Sequence, residues 1–362
     1  MTKKRRILVV SACPYPSPQG SQAFIRESIK QYKSSGHHVE LCAYGYGLGE
    51  NPKDLTIHRG GNIPFAKRTA AGPSWAKPLQ DWRLLAKLKR VLCENDFDVI
   101  DAHNYEGLII ALASGFRPIV YHAHNAMADE LPYYRGFSRF GKGIGEALDE
   151  RLPHLADIVI APHDHLKTYL INKRCAKDQI KVITPSINPK PFIHKKEYGD
   201  EPVVLYTGNL DGYQNVALLE NVMRSVQEKR PGTRCVVGTN AVKKLTYAEV
   251  VPIADLVALV EVLKLDAIFL CPRISWSGYP IKLLNAMAAG LPVVACKSSG
   301  YPVRHNQTGF VVDDEALEQF RDHTLELLED ATLRKKFGTA GKRRSTDLYS
   351  ERAMMAKIIE RV

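Results

Sequence analysis

The sequence predicts an α/β protein made of two doubly wound domains, and three observations support this. Short β-branched runs alternate with helical patterns along nearly the whole chain. These runs are continuously apolar, as in parallel strands that helices cover on both faces. One stretch rich in proline and charge interrupts the rhythm near the middle, and 362 residues suit two domains better than one.

The first domain is predicted to span residues 1–186. Its strand patterns are "RILVVSA", "HHVELCAY", "LTIHRG", "FDVIDAH", "PIVYHAH", "ADIVIAP" and "IKVITPS". Helical patterns lie between them, among others near residues 21–35, 79–94 and 138–152. The stretch that follows, "SINPKPFIHKKEYGDEP", has no periodicity, so residues 187–202 are assigned to a linker.

The second domain, residues 203–345, repeats the pattern. Its strands are predicted at "VVLYTG", "RCVVGT", "AIFLCP", "PVVAC" and "GFVVDD", with helices near residues 214–229 and 254–263. Residues 346–362 end in "SERAMMAKIIERV", which indicates a helix that packs back on the first domain. The fold class is therefore two Rossmann-like domains, and a cleft between them is the expected ligand site.

Charge and composition indicate which partners to expect. The net charge is +11, and residues 1–200 hold most of the excess, with 29 basic against 20 acidic residues. Residues 66–90 mix Lys and Arg with Trp75, Trp82 and several leucines. This pattern fits a helix that packs its leucines on a sheet, or a surface for an anionic membrane or partner. No nucleic-acid motif accompanies the charge, so nucleic acid is not an expected partner.

Several features favour a cytoplasmic protein. The seven cysteines are scattered and odd in number, with no CxxC pair. The apolar run after the basic start is short, and Pro14 and Pro16 follow it at once, which predicts a tail entering the first strand rather than a secretory signal. No uninterrupted apolar run is long enough to cross a bilayer. We expect a cytoplasmic location, with peripheral contact at the inner membrane face if the basic region binds lipid.

Polar residues gather at the predicted carboxyl ends of strands, where open parallel sheets bind ligands. In the first domain they are Gly20 and Ser21 at a helix start, then His103, Asn104, His122, His124 and Asn125. The histidines indicate either a cleft-facing group or a hydrogen-bonded polar layer beneath it. No acidic or thiol residue has a convincing ligand spacing with them, so no metal site is predicted.

The second domain offers a matching set. Gly208, Asn209 and Gln214 follow one strand, and the loop and helix start beyond another strand hold Ser277, Gly278, Tyr279, Pro280, Ile281, Lys282 and Asn285. The helix is apolar on nearly every side, yet Lys282 and Asn285 share one stripe at i,i+3 spacing. Because a lysine at a helix N-terminus opposes the dipole, a bound phosphate would explain it, as would a side chain that reaches water.

These segments together resemble the retaining glycosyltransferases of family 4, which have the GT-B fold. The stretch "SGYPIKLLNAMAAGLPVVACKSSGYPVRHNQTGFVVDD" resembles the family's donor-nucleotide motif. "PYPSPQGSQAFIRESIKQYKSSGHHVELCAY" is similar to its N-terminal glycine loop and helix exit, and "VITPSINPKPF" to the segment that ends its first domain. The likeness covers nearly the whole chain.

The resemblance implies transfer of a sugar from a UDP-, GDP- or ADP-sugar to a glycan or lipid-linked acceptor, with no cofactor required. Transfer would be a front-face displacement in which the leaving phosphate takes the acceptor proton. The protein would stabilise the departing diphosphate. His124 aligns with the family histidine that contacts the transferring sugar, and His122 is the second choice.

Four positions depart from the family pattern. Ser277 and Asn285 stand where the family has two glutamates, and Asn209 and Gln214 stand where it has an arginine and a lysine. An amide at 285 can still hydrogen-bond a ribose hydroxyl. We hypothesise that Lys282 restores part of the missing positive charge.

The four substitutions leave a second function open. A catalytically silent GT-B protein that binds a nucleotide sugar or a partner would tolerate the neutral donor set. A nicotinamide oxidoreductase is excluded, because no G-x-G-x-x-G fingerprint follows any predicted strand.

Overall fold

The computed structural model describes residues 4–17, 20–47, 49–63, 76–134, 136–192, 194, 198–241 and 244–349. The chain divides into two compact units, and the boundary falls between Pro185 and Ser186. Each unit has its own parallel sheet, so the predicted pair of doubly wound sheets is confirmed.

The first unit is built on a seven-stranded parallel sheet with the order β3-β2-β1-β4-β5-β6-β7. Its strands are β1 (Arg6–Ser11), β2 (His38–Ala43), β3 (Thr56–Arg59), β4 (Val99–His103), β5 (Ile119–His122), β6 (Ile158–Ala161) and β7 (Ile180–Val182). Its helices are α1 (Gly20–Ser34), α2 (Lys77–Glu94), α3 (Asn104–Ser114), α4 (Met127–Glu130), α5 (Gly141–Arg151) and α6 (Asp164–Asn172), with 3-10 turns at Leu131–Tyr133 and Pro153–Leu155.

The register of this sheet aligns the ends of its central strands. Ser11 of β1 pairs with His103 of β4, and His103 pairs in turn with His122 of β5. The strand order reverses between β1 and β4, which is the switch point where doubly wound sheets bind ligands. The residues of the central strands β4 and β5 are buried on both faces, and so are those of β1 after its first residue, as the continuous apolar runs predict.

The second unit has a six-stranded parallel sheet with the order β10-β9-β8-β11-β12-β13. Its strands are β8 (Val203–Thr207), β9 (Cys235–Thr239), β10 (Glu249–Pro252), β11 (Ala267–Cys271), β12 (Val293–Cys296) and β13 (Gly309–Val312). Its helices are α7 (Val216–Lys229), α8 (Leu256–Leu263), α9 (Ile281–Ala288), α10 (Leu317–Glu329) and α11 (Ala331–Tyr349), with 3-10 turns at Lys190–Phe192 and Gly212–Gln214.

The ends of the second unit differ from a simple linker and tail. Ile187 and Phe192 fall in the stretch assigned to a linker, and both are buried in the core of the second unit. At the other end, α11 continues to Tyr349, whose carbonyl accepts a hydrogen bond from the Ile187 amide. The helix expected at residues 346–362 extends beyond the described residues.

The helix α9 has the buried character that its composition predicts. Leu283, Leu284 and Met287 are fully buried in the second unit's core, and α11 packs against it. Its two polar residues, Lys282 and Asn285, are partly exposed. The helix therefore places one polar stripe against the carboxyl ends of the neighbouring strands.

Candidate functional site

The polar stripe of α9 meets the loop that follows β8. The Lys282 ammonium donates hydrogen bonds to the Tyr206 hydroxyl at 3.1 Å and to the Gln214 side-chain oxygen. The ammonium also lies 4.3 Å from the centre of the Tyr206 ring, within cation–π range. Lys282 thus points into the protein and does not extend its charge into solvent.

Glycine at position 208 permits this approach. Gly208 follows β8 with φ of +138°, which side-chain-bearing residues rarely adopt. A Cβ there would lie 3.4 Å from the Lys282 ammonium and 3.3 Å from the Tyr206 hydroxyl. The backbone at the end of β8 therefore stays close to the positive charge.

The environment of Lys282 disfavours its charge. The pKa of Lys282 falls to about 8 mainly because the ammonium is buried; Cys271 opposes this shift, and Arg273 adds to it to a smaller extent. Among the described residues, no carboxylate lies within ion-pair distance of the Lys282 ammonium. A buried ammonium without an anionic partner is costly, so this position favours an anionic ligand.

The predicted donor residues of the β8 loop form one hydrogen-bonded network with Lys282. Gln214 donates to the Asn209 side-chain oxygen at 2.9 Å, and the Asn209 amide donates to the Tyr213 hydroxyl at 2.8 Å. Asn209 also donates to Asp211 at 2.6 Å. The structure therefore brings together Gly208, Asn209, Gln214 and Lys282, which the sequence placed on two separate segments.

Arg273 joins this group, although the sequence analysis did not select it. It follows β11, the strand next to β8, and it is buried. Its guanidinium donates to the Ser275 carbonyl at 3.1 Å and to the Ser275 hydroxyl at 3.0 Å, and lies 5.3 Å from the Tyr213 ring centre. Its place just beyond a strand end was the signal that could have identified it.

The loop that precedes α9 packs directly on Arg273. A Cβ at Gly278 would lie 2.5 Å from a guanidinium nitrogen of Arg273, so a larger residue there would force the guanidinium to shift. Ser277 is fully buried, Tyr279 stacks on Tyr301 with ring centres 6.2 Å apart, and Pro280 is the N-cap of α9. The remaining predicted residues of this segment are Ile281 and Asn285, which are both half-buried.

In the first unit, three histidines and one aspartate gather at the ends of β4 and β5. The Asp101 carboxylate lies 2.9 Å from the His122 Nε2 atom and 3.4 Å from the His103 Nε2 atom. The His103 and His122 rings stack with centres 4.3 Å apart and planes inclined by 14°. His103 Nδ1 lies 3.0 Å from His124 Nε2. The spacing of Asp101 and His103 at i,i+2 placed them on one face of β4, a signal that the sequence analysis did not use.

The three histidines differ in how far their side chains are exposed. His103 is 0% exposed and His122 is 3% exposed, whereas His124 is half-buried. The Phe24 ring packs edge-on against all three, with its centre 5.0 Å from that of His124. His124 is therefore the member of the cluster that can meet a ligand, and His122 lies beneath it.

The same cluster is the one group among the described residues that brings metal-ligating atoms together. The ligand atoms of Asp101, His103 and His122 lie within 4.8 Å of one another. The two Nε2 atoms lie close to the two oxygens of one carboxylate, and none of these four buried atoms has a hydrogen-bond partner within the described part of the chain. By ligand type, two imidazoles and one carboxylate could hold a metal ion, although no metal site is predicted from the sequence.

The other predicted residues of the first unit lie near these strand ends. Gly20 and Ser21 begin α1, as expected from the sequence. Asn104 begins α3 with φ of +63°, a conformation that asparagine tolerates, and Asn125 is half-buried after β5.

The helix α2 presents an exposed face of mixed character. Leu79 is 44% exposed and Trp82 is 64% exposed, and Lys89 and Arg90 lie on the same exposed face farther along the helix. The opposite face of α2 buries Leu84 among others, so the helix also packs on its unit. The buried face agrees with a helix that packs its leucines on its unit, and the exposed face carries the residues on which the prediction of an anionic membrane or partner depends. Residues 66–75, including Trp75, lie outside the described residues.

None of the helices in the described ranges combines the length and the apolar character that crossing a membrane requires.

Comparison with known families gives two matches that together run along most of the chain. A model described as Glycosyltransferase Family 4 matches residues 18–190. A model described as Glycosyl transferases group 1 matches residues 189–344. The junction between the matches lies close to the boundary between the two units.

Individual relatives share the fold more than the sequence. Sucrose-phosphate synthase from Thermosynechococcus elongatus superposes with a TM-score of 0.83 at 15% identity, covering 99% of this chain and 98% of that one. The Anabaena protein HepE in complex with UDP and glucose superposes with a TM-score of 0.74 at 16% identity, covering 98% of each chain.

One curated relative is similar in sequence over a short stretch. It is a GDP-mannose-dependent alpha-(1-6)-phosphatidylinositol monomannoside mannosyltransferase from Mycobacterium tuberculosis, 38% identical over 85 residues. The match spans 23% of this chain and 22% of the relative's length.

Proposed function

The chain belongs to the family 4 glycosyltransferases of the GT-B fold, and we propose that it transfers a sugar with retention from a nucleotide-sugar donor to a glycan or lipid-linked acceptor. The observation that carries this proposal is the pair of cations at neighbouring strand ends of the second unit. Lys282 and Arg273 lie there without a carboxylate partner among the described residues. A diphosphate supplies the charge that both lack.

We assign the donor diphosphate to Lys282 and Arg273, and the ribose to Asn285. HepE binds UDP, and the mycobacterial relative uses GDP-mannose, which supports a nucleotide-sugar donor without fixing its base. Two protein cations can stabilise charge on a departing diphosphate in the way that other transferases use a metal, so the proposal requires no cofactor.

The proposed reaction needs no protein nucleophile. The bond between the anomeric carbon and the diphosphate oxygen breaks as the acceptor oxygen bonds to the same face of that carbon. The acceptor proton passes to the departing phosphate oxygen, so atoms and charge balance. In the first unit we assign His124, the half-buried histidine of the cluster, to the transferring sugar.

An assay with a panel of UDP-, GDP- and ADP-sugars tests the proposal. We expect one donor class to bind, to be hydrolysed slowly without acceptor, and to give a product with the anomeric configuration of the donor. Lys282→Met should weaken binding of that nucleotide about 10- to 100-fold, the loss of a charge-assisted contact. Lys264→Met is the matched control, because Lys264 is a surface lysine paired with Glu261.

The alternative is a catalytically silent GT-B protein, which the neutral residues at 209, 214, 277 and 285 suggest. Nucleotide binding that depends on Lys282 but gives no turnover with any donor would favour it. Inversion of configuration would refute retention, and absence of any nucleotide binding would refute the donor site itself.

For the acceptor we propose a lipid-linked or anionic glycan at the cytoplasmic face of a membrane. The mixed face of α2 supports this, since exposed Leu79 and Trp82 adjoin the cations Lys89 and Arg90 on one helix. The mycobacterial relative, whose name specifies a phosphatidylinositol mannoside, is consistent with such an acceptor.

Vesicle binding tests this part. Vesicles with anionic lipid should bind the protein, and binding should fall steeply with salt. Trp82→Ser should weaken binding severalfold, whereas Val257→Ser, which changes a 69% exposed valine of the second unit, should not. Absent or salt-insensitive binding contradicts a membrane role.

A further inference from the structure

We propose that Asp101, His103 and His122 bind one divalent transition-metal ion, such as Zn²⁺, beneath His124 in the first unit. The ion would hold the ends of β4 and β5 together and so position His124. It would take no part in the transfer step, whose diphosphate is assigned to cations of the second unit. The inference therefore does not depend on the proposed function.

The central sheet of the first unit brings the three side chains to one point. Asp101 and His103 lie at i and i+2 on β4, so both side chains are on the same face of the sheet. His122 ends β5 and pairs in register with His103, and the two rings stack with centres 4.3 Å apart. All three residues belong to strands, which hold a ligand set more precisely than loops do.

The polar atoms that meet here are buried and unsatisfied. The three residues are at most 3% exposed. Among the described residues, neither oxygen of Asp101, nor the Nε2 atom of His103, nor either ring nitrogen of His122 has a hydrogen-bond partner. Such groups are rare in folded proteins, and a bound ion is one of the few explanations for them. One cation would satisfy the carboxylate and both imidazoles at once.

The spacing of these atoms suits a single ion. His122 Nε2 lies 2.9 Å from one Asp101 oxygen, and His103 Nε2 lies 3.4 Å from the other. The ligand atoms of the three residues all lie within 4.8 Å of one another. Atoms that bind one tetrahedral Zn²⁺ at about 2.0–2.2 Å are about 3.3–3.6 Å apart. Binding would therefore draw the most distant pair of ligand atoms together by at most about 1.5 Å.

The ligand types select the class of ion. Imidazole nitrogen suits zinc and its transition-metal neighbours, whereas Mg²⁺ and Ca²⁺ prefer oxygen ligands. Two histidines and one carboxylate are a set that binds Zn²⁺ in proteins, with a fourth position left for water. A metal-bound histidine normally donates its other ring N–H to an acceptor, and His103 Nδ1 lies 3.0 Å from His124 Nε2. The ion would thus fix the ring that contacts His124.

Zinc binding by the whole chain tests the site. Protein freed of metal by a chelator is titrated with Zn²⁺ alone against a chromophoric competitor, and we expect one equivalent bound per chain. His122→Gln and Asp101→Asn should each weaken the affinity about 100-fold or more, because loss of a residue that only supports a ligand already costs about 10- to 100-fold. Zn²⁺ should raise the melting temperature of the wild type and leave that of His122→Gln unchanged.

His323→Gln is the matched control. The His323 ring lies 3.0 Å from the Glu326 carboxylate on the surface of α10, so this variant removes a partly exposed pair of the same two ligand types. Its Zn²⁺ affinity should equal that of the wild type. Equal affinity in the wild type, Asp101→Asn and His122→Gln overturns the inference, and so does a wild type that retains no Zn²⁺.

X-ray absorption at the zinc edge of the wild type gives the answer if both variants fail to fold. Two imidazoles and an oxygen bound to the zinc support the site, whereas cysteine sulfur or fewer than two imidazoles contradicts it. These measurements need neither nucleotide nor acceptor. Zinc bound by a chain that shows no turnover would therefore leave the metal site standing while the proposed function fails.

Discussion

Replacing Lys282 by methionine should make the second unit more stable while it weakens the binding of nucleotide. The pKa of Lys282 falls from its usual 10.5 to about 8 because the ammonium is desolvated. That difference corresponds to about 3 kcal/mol of unfolding free energy lost at neutral pH. Methionine removes this cost, but it leaves the Gln214 oxygen without its donor, which costs about 1–2 kcal/mol. We expect a net gain of about 1–2 kcal/mol at pH 7.

The pH dependence of this difference identifies its cause. Between pH 8 and 10.5 the unfolded chain holds the Lys282 proton and the folded unit does not, so the stability of the wild type rises with pH. The advantage of Lys282→Met should therefore shrink by about 2 kcal/mol between pH 7 and pH 9.5. Chemical denaturation at the two pH values measures this, with Lys264→Met as the variant that should change little at either.

Binding should change in the opposite direction. A diphosphate stabilises the charged ammonium, so UDP or GDP binding near pH 8.5 should take up a proton, and calorimetry in buffers of different ionisation enthalpy detects it. In Lys282→Met this uptake should vanish, and adding Gln214→Lys should restore part of the affinity. A variant that is less stable at both pH values and binds nucleotide as the wild type does would refute the reasoning.

Arg273→Met should lower nucleotide affinity about tenfold by calorimetry, whereas Arg234→Met, which breaks an exposed ion pair, should not change it. Gly278→Ala places a methyl group 2.5 Å from the Arg273 guanidinium and should weaken nucleotide binding, while circular dichroism should show that the variant still folds. Gly341→Ala, where a Cβ would have neighbours no closer than 3.7 Å, should leave nucleotide binding unchanged. Arg334→Met should destabilise the second unit by about 3 kcal/mol in chemical denaturation, because this buried arginine donates to two carbonyls at the end of α10. Unchanged stability of Arg334→Met would contradict a stabilising role for these two hydrogen bonds.

Most strands could be predicted because a sheet buried on both faces needs continuous apolar runs. The strand β10 was missed for the converse reason: it lies at a sheet edge, its residues are half-buried or exposed, and it ends in Pro252. The helices α10 and α11 also escaped the sequence analysis. They are polar surface helices. The helix α11 is held by a buried arginine, Arg334, and a pattern of apolar residues cannot predict that an arginine is buried.

The candidate site was predictable as far as position along the chain allowed. Gly208, Asn209 and Gln214 were found because they follow a strand end, and Lys282 because a cation on an apolar helix is costly. What Lys282 contacts could not be predicted, since Tyr206 and Gln214 come from a segment about 70 residues away. Arg273 was missed although it obeys the same strand-end rule.

The arrangement of charge supports the proposal that a family member can lack its usual cations and still bind a nucleotide-sugar donor. A bound diphosphate requires a positive charge close to its oxygens. It does not matter which position of the sequence supplies that charge. Gln214 stands where the family has a lysine, and the ammonium of Lys282 contacts the Gln214 side chain. In the proposed site the positive charge therefore comes from the first turn of α9 and not from the loop after β8, and it lies beside Gly208. A helix N-terminus and a buried setting both disfavour an ammonium, so the free protein bears a cost in stability. The proposed diphosphate would remove this cost, and the stability of the second unit should therefore rise when donor binds.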